Sequence, residues 1–161
     1  MRPWLISCLT LGIDQLTKHL VVSSFTPGHS LPLLPPLLHV TYVQNTGAAF
    51  GLFKGQQLLF IGLSLVVIGW IVWEFLTKPS MAAVLVWGSA LVLGGAAGNL
   101  IDRVRLGYVI DFIDLRVWPV FNVGDSAITI GVSLLVVHAL FGERHRESSN
   151  QQSAISNQQK R

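Results

Sequence analysis

The stretch Gly94–Asp125, GGAAGNLIDRVRLGYVIDFIDLRVWPVFNVGD, decides the fold because its character changes twice. It begins as a run of glycine and alanine with Asn99 and Asp102 at i, i+3, a spacing that puts both on one face of a helix. From Gly107 to Leu115 the alternation is that of a strand, with Asp111 on the face of Val109 and Ile113 and Asp114 on the opposite face. Asn122 and Asp125 then repeat the three-residue spacing where a second helix opens, as N-cap and third helical residue. Four of the five aspartates and three of the seven arginines fall in these residues. Such crowding of polar groups needs a reason in a chain this apolar.

Working outward, the rest of the chain is hydrophobic. Charged residues make up 12% against 51% hydrophobic, with mean hydropathy +0.56, which points to an integral membrane protein of one domain. About 20 apolar residues cross a bilayer. Four stretches meet this, at about 4–25, 56–73, 80–101 and 123–141, so the expected class is an all-α membrane protein of four transmembrane helices. A small extracytoplasmic sheet or loop region completes it: Pro27–Leu37 carries four prolines and reads as an extended path, and Leu38–Gln44 as a strand. The domain is expected to span 1–142, and the polar segment 143–161 to be a disordered cytoplasmic tail.

The first apolar run is too long to be a cleaved signal peptide and continues well past Cys8. A single cysteine rules out an internal disulfide and a cysteine metal cluster. Basic residues gather partly at the C-terminus, Arg144, Arg146, Lys160 and Arg161, where anionic lipid headgroups explain them; no basic patch interleaved with aromatics speaks for nucleic acid. With four spans both termini share one side, and charge counting leans to the cytoplasm. The long connections 26–56 and 102–121 then face the other side, where any chemistry must sit.

Asp14 and Lys18, at i and i+4, can form an ion pair inside the first span, as a structural pair or as part of a functional site; either way both are expected to face the bundle interior, since a charge in the membrane costs about 2.5 kcal/mol or more. Asn45–Gly51, NTGAAFG, follows the strand with small side chains that allow close backbone approach. The Gly/Ala-rich third span predicts a close helix crossing. His138 stands alone in the fourth span and reads as a packed or lipid-facing residue.

The chemistry follows by elimination. No histidine lies in the polar stretch and the lone cysteine is mid-span, so no serine or cysteine triad is available; no HExxH motif exists, and neither metal nor cofactor is called for. Carboxylate chemistry remains. Asp111, set among apolar neighbours, is the hardest residue to explain structurally, and two aspartates held close share a proton and act as acid and base on water. A small channel or a non-catalytic assembly subunit are the competing classes, but helices two and four offer no polar stripe.

Together, Asp14–Lys18 (DQLTK), Asn45–Phe50 (NTGAAF), Gly98–Arg103 (GNLIDR), Gly107, Val109, Asp111 and Phe112, and Phe121–Ser126 (FNVGDS) resemble lipoprotein signal peptidase, the signal peptidase II family. The resemblance covers about 14–131 with all blocks in order. It implies a monomeric, multi-pass aspartyl endopeptidase of the bacterial inner membrane, with cytoplasmic termini and its site near the outer face. Its substrates would be prolipoproteins cut just before a diacylglyceryl-modified cysteine, with membrane lipids as the other partners. By motif, Asp111 and Asp125 become the catalytic pair. Asn45, Asn99, Arg103 and Asn122 bind substrate or support the site, and Asp14, Lys18 and Asp102 are structural or back the residues that form the site. One departure stands out, Gly124 where the family usually has alanine.

Overall fold

A computed structural model describes residues 2–47, 55–78 and 80–158, with side chains described as far as 141. Ala48–Lys54, and with it most of the small-residue segment behind Asn45, lies outside the described residues. Four long helices and three short strands follow one another as α1 (Arg2–Ser24), β1 (Ser30–Leu34), β2 (Leu38–Asn45), α2 (Gln57–Thr77), α3 (Ala83–Leu106), β3 (Val109–Asp114) and α4 (Val123–Gln158). All four helices hold a stretch long and apolar enough to cross a membrane. The fold is thus the expected four-helix membrane bundle with a small sheet at one end.

Burial ranks the helices. Over half of the apolar window of α3 is buried, 56%, against 6% for α2, so α3 is the axis on which the other helices pack and α2 is largely given to lipid. The leucines and valines of α1, α2 and α4 left exposed, such as Leu16, Leu58 and Val137, are what a bilayer solvates. Small residues make the central contact possible. A Cβ on Gly95 would meet the Gly124 carbonyl oxygen, and one on Gly131 would lie 2.6 Å from the Gly88 oxygen, so the α3–α4 crossing brings backbone against backbone. One apolar cluster, Ile71, Val92 and Leu93, ties α2 to α3 within the bundle.

α3 stops at Gly107, whose left-handed φ of 78° lets its N–H return to the Arg103 carbonyl while the chain turns out of the helix. The chain re-enters as β3, the edge of an antiparallel sheet of order β1-β2-β3. The proline-rich segment expected only as an extended path thus supplies a strand, β1, whose residues Ser30, Leu31, Pro32 and Leu34 pair with β2; a proline is tolerated there because β1 is an edge strand. Val21, Tyr42, Ile110 and Phe112 form a second core that seats the sheet on the end of α1. After β3, Phe121 pairs back onto Ile113, its carbonyl accepting from the Phe112 and Ile113 N–H groups at 2.9 and 2.7 Å. That return delivers the start of α4 to the side of β3.

Three helix ends differ from the sequence expectation. α2 and α3 run to Thr77 and Leu106, a turn or so beyond 73 and 101, because neither Glu74 nor Arg103 and Arg105 breaks a helix at the membrane edge. α4 continues to Gln158, whereas 143–161 was expected as a disordered tail; its membrane-crossing stretch ends at Phe141. Beyond Gly142 the extension contains neither proline nor glycine, so propagation from an already formed helix meets no further local stop.

Candidate active site

The site is built where four elements converge. Asp111 comes from β3, Asn45 from β2, Asn99 and Arg103 from the last turns of α3, and Asn122 and Asp125 from the first turn of α4. Each arrives for a local reason. Asn45 pairs with Val109 and Val43 with Asp111, so Asn45 is the diagonal same-face neighbour of Asp111 across the ladder. Its Nδ2 donates to Asp111 Oδ2 at 2.8 Å, while its Oδ1 accepts from the Gly47 N–H and fixes the amide's orientation.

Asn122 is the hub. Its Oδ1 accepts from the Asp125 N–H at 2.8 Å and the Asp125 carboxylate accepts from the Asn122 N–H at 3.3 Å, a reciprocal cap of the kind the spacing predicted. With the oxygen thus committed, Asn122 Nδ2 donates to Asp111 Oδ1 at 2.7 Å. One residue therefore caps the helix and joins both aspartates. It is fully buried, and Asp111 is 1% exposed. The surroundings of Asp111 are not purely apolar, as the strand alternation suggested, since both its oxygens accept an amide N–H.

Behind this pair lies a buried charge cluster. Lys18 donates to Asp14 Oδ2 at 2.8 Å, to Asp102 Oδ2 at 2.9 Å and to Asn99 Oδ1 at 2.8 Å, and Asn99 Nδ2 donates to Asp125 Oδ1 at 2.7 Å. Asp102 also accepts from the Ile110 N–H, and Asp14 Oδ1 from the Gly124 N–H at 2.8 Å. So the residues read as structural, Asp14, Lys18 and Asp102, connect α1 to the site through both α3 and the start of α4. Gln15, which sequence reasoning passed over, donates to Asp14, Asp102 and the Gly98 carbonyl. Its position inside the DQLTK block was the available signal.

Arg103 stands at the rim, its guanidinium 4.9 Å from the centre of the Phe60 ring, near enough for its charge to act on Asp125 and Asp111. Phe60, on α2, is a further residue that sequence reasoning missed, because no motif ties it to the site. Asp111 and Asp125 open into a cavity of about 670 Å³ whose walls include Asn45, Phe60, Arg103, Leu115, Phe121 and Ile128. A few polar groups converge in a mostly apolar cleft, as is usual for ligand sites. Burial, and then the nearby charge of Asp125, push the Asp111 carboxyl up to about 7 against the hydrogen bonds from Asn45 and Asn122.

Asp114 is buried as well, and its carboxylate accepts from the Thr41 hydroxyl at 2.7 Å and the Arg116 N–H at 2.9 Å. Burial disfavours its charge, but these bonds and the Arg116 guanidinium outweigh that and hold its carboxyl below the usual value. The alternation had placed it rightly, on the face away from Asp111. His138 lines a separate cavity of about 700 Å³ at the other end of the bundle, with Glu74 and Lys78. Among the described residues no three His, Cys, Asp or Glu side chains come together as metal ligands.

The four-helix bundle, with all four helices long and apolar enough to cross a membrane, matches what comparison with other proteins gives. Residues 6–141 match the family described as signal peptidase (SPase) II. The chain belongs to the signal peptidase II family. A lipoprotein signal peptidase from Moorella thermoacetica is 46% identical over 145 residues, covering 89% of this chain and 97% of the relative. One from Halothermothrix orenii is 42% identical over 136 residues, covering 84% and 92%. A solved bacterial membrane enzyme superimposes with a TM-score of 0.82 at 31% identity, covering 92% of this chain and 90% of the other. A second gives 0.79 at 32%, covering 87% and 93%. The chain is therefore a membrane-spanning peptidase of the aspartic type, and the activity of its family is removal of signal peptides from prolipoproteins.

Proposed function

We propose that Asp111 and Asp125 are the catalytic pair, and that they cleave a prolipoprotein just before a diacylglyceryl-modified cysteine. The observation that carries this reading is the joint one. Two aspartates from different elements are linked by Asn122, face one cavity, and one of them keeps its proton to about pH 7.

In this reading Asp111 holds the shared proton and donates it to the scissile carbonyl oxygen. Asp125, an acceptor toward Asn99 and the Asn122 N–H and seated at the positive end of the α4 dipole, takes a proton from the attacking water. Water oxygen bonds to the carbonyl carbon, giving a tetrahedral gem-diol. Asp125 then passes its proton to the departing amide nitrogen as the C–N bond breaks, and Asp111 recovers its own from the diol. Arg103 and Asn45, at the cavity wall, are placed to hold the peptide backbone. A substrate already anchored in the bilayer by its lipid presents the scissile bond at a fixed depth, an orientation gain.

A single copy of the chain contains the whole constellation, so a monomer in the membrane suffices. The reading further places the enzyme in the bacterial inner membrane with cytoplasmic termini, the sheet and dyad toward the outer face. The test uses purified enzyme with a diacylglyceryl-modified prolipoprotein and its unlipidated precursor. Only the lipidated form is expected to be cut, and both Asp111→Asn and Asp125→Asn to be inactive while keeping the thermal unfolding of the wild type. Full activity in either variant would sink the dyad.

A further inference from the structure

Lys18 has three N–H donors and no acceptor capacity. Two of its bonds go to Asp14 and Asp102, and that is already more negative charge than one cation balances; the third goes to Asn99 Oδ1. An asparagine amide can face its neighbours either way round, and a free Asn99 could present either its oxygen or its N–H groups to Asp125. The ammonium removes that choice. With Oδ1 held at 2.8 Å by Lys18, and also accepting from Asn122 Nδ2 at 3.2 Å, Asn99 must aim Nδ2 at Asp125 Oδ1, where it sits at 2.7 Å. A protonated Oδ1 on Asp125 would then meet a donor instead of an acceptor.

We propose that Lys18 is a positioning residue that sets the polarity of the Asn99 amide and thereby holds Asp125 as the proton acceptor of the dyad. It touches no reacting atom and lies outside the cavity, in the first helix, with side-chain exposure of 1%. The same cluster fixes the place of Asp125 as well as its state, because Asp14, held by Lys18, accepts the Gly124 N–H in the first turn of α4. The inference rests on the assignment of Asp111 and Asp125 as the catalytic pair.

The test is a double-mutant cycle between Lys18 and Asn99. Lys18→Met with Asp102→Asn leaves Asp14 as the only charge of the cluster, a net charge of −1 as in the wild type, so the bundle is not asked to hold two unpaired carboxylates. With the lipidated substrate, this variant is expected to lose at least tenfold in kcat, with KM within threefold. Asn99→Ala should lose a similar factor, and the combination of all three changes should be no slower than Asn99→Ala alone, within threefold. Losses that multiply, or an unchanged kcat in the folded Lys18→Met/Asp102→Asn enzyme, would overturn the inference.

Should that variant fail to fold, Asn99→Asp decides. It is isosteric and leaves Lys18 a partner, but its ionised carboxylate has no N–H to give Asp125; a kcat within threefold of wild type overturns the inference and a tenfold loss supports it. Asp125→Asn serves as the control. If that control is active, the dyad itself is wrong; if it is inactive while the Lys18 and Asn99 effects multiply, only the role of Lys18 fails.

Discussion

Burial, and then the charge of Asp125, raise the Asp111 carboxyl to about 7, and two amides, Asn45 and Asn122, oppose this by bonding to the ionised form. Under the proposed mechanism, activity is expected to fall as pH rises through about 7, where Asp111 loses the proton it would donate. Asn45→Ala removes one of the two opposing bonds, so the alkaline limb of kcat/KM should move upward by roughly half to one pH unit, the equivalent of one ordinary hydrogen bond. A limb that stayed in place or moved down would remove Asn45 from the electrostatics of the dyad. The same shift has a sign for stability. The folded state holds this proton to higher pH than the unfolded chain, so the stability Asp111 contributes is complete at acid pH and is lost as pH rises toward 7. Sequence alone singled out Asp111 as a candidate, because a carboxylate on a strand-like apolar face has no cheap structural excuse. It did not give the two amides that satisfy it, since those bonds depend on strand register and on the chain's return at Phe121.

The decisive element contact is the crossing of α3 and α4. Gly95 and Gly124 face each other there, and the two positions are not equivalent. A methyl on Gly95 would collide with the Gly124 carbonyl, whereas one on Gly124 would lie 3.0 Å from the Gly95 oxygen and 3.1 Å from Asp14 Oδ1 and Asn122 Oδ1. Gly95→Ala should therefore destabilise by about 1–3 kcal/mol, as overpacking does, and cut kcat by displacing the first turn of α4. Gly124→Ala needs movement of a few tenths of an ångström, offset by about 1 kcal/mol of helix propensity. Its thermal midpoint should stay close to wild type and its activity within threefold. Thermal unfolding in detergent and turnover of the lipidated substrate measure both. The Gly/Ala run of α3 announced a close crossing from sequence; which glycine could be spared appeared only with the partner backbone in place.

For the whole molecule, the proposed orientation makes a direct prediction. Val117, 91% exposed in the turn between β3 and α4, lies at the sheet end of the bundle, and Ser80 at the opposite end. With Cys8 replaced by serine, Val117→Cys should react with a membrane-impermeant maleimide added outside the cytoplasmic membrane, and Ser80→Cys only after that membrane is permeabilised. The reverse pattern would invert the topology and put the dyad on the cytoplasmic side. At this scale the bundle is asymmetric. The sheet end concentrates charge and hydrogen bonds, while the middle of α2 and α4 holds the apolar surface that lipid demands.

The sequence by itself determined what depends on local spacing and on solvent. Span length and hydropathy gave four helices in a bilayer, i, i+3 and i, i+4 intervals gave the Asn122–Asp125 cap and the Asp14–Lys18 pair, and alternation separated the faces of Asp111 and Asp114. Tertiary structure alone decided which of those groups meet. Lys18 finds Asn99 81 residues away, and Asp14 finds the Gly124 N–H 110 residues away. No local periodicity carries such information, because these contacts exist only once the Gly/Ala face of α3 lets the helices close to backbone distance, and only there does a buried cation have all its partners.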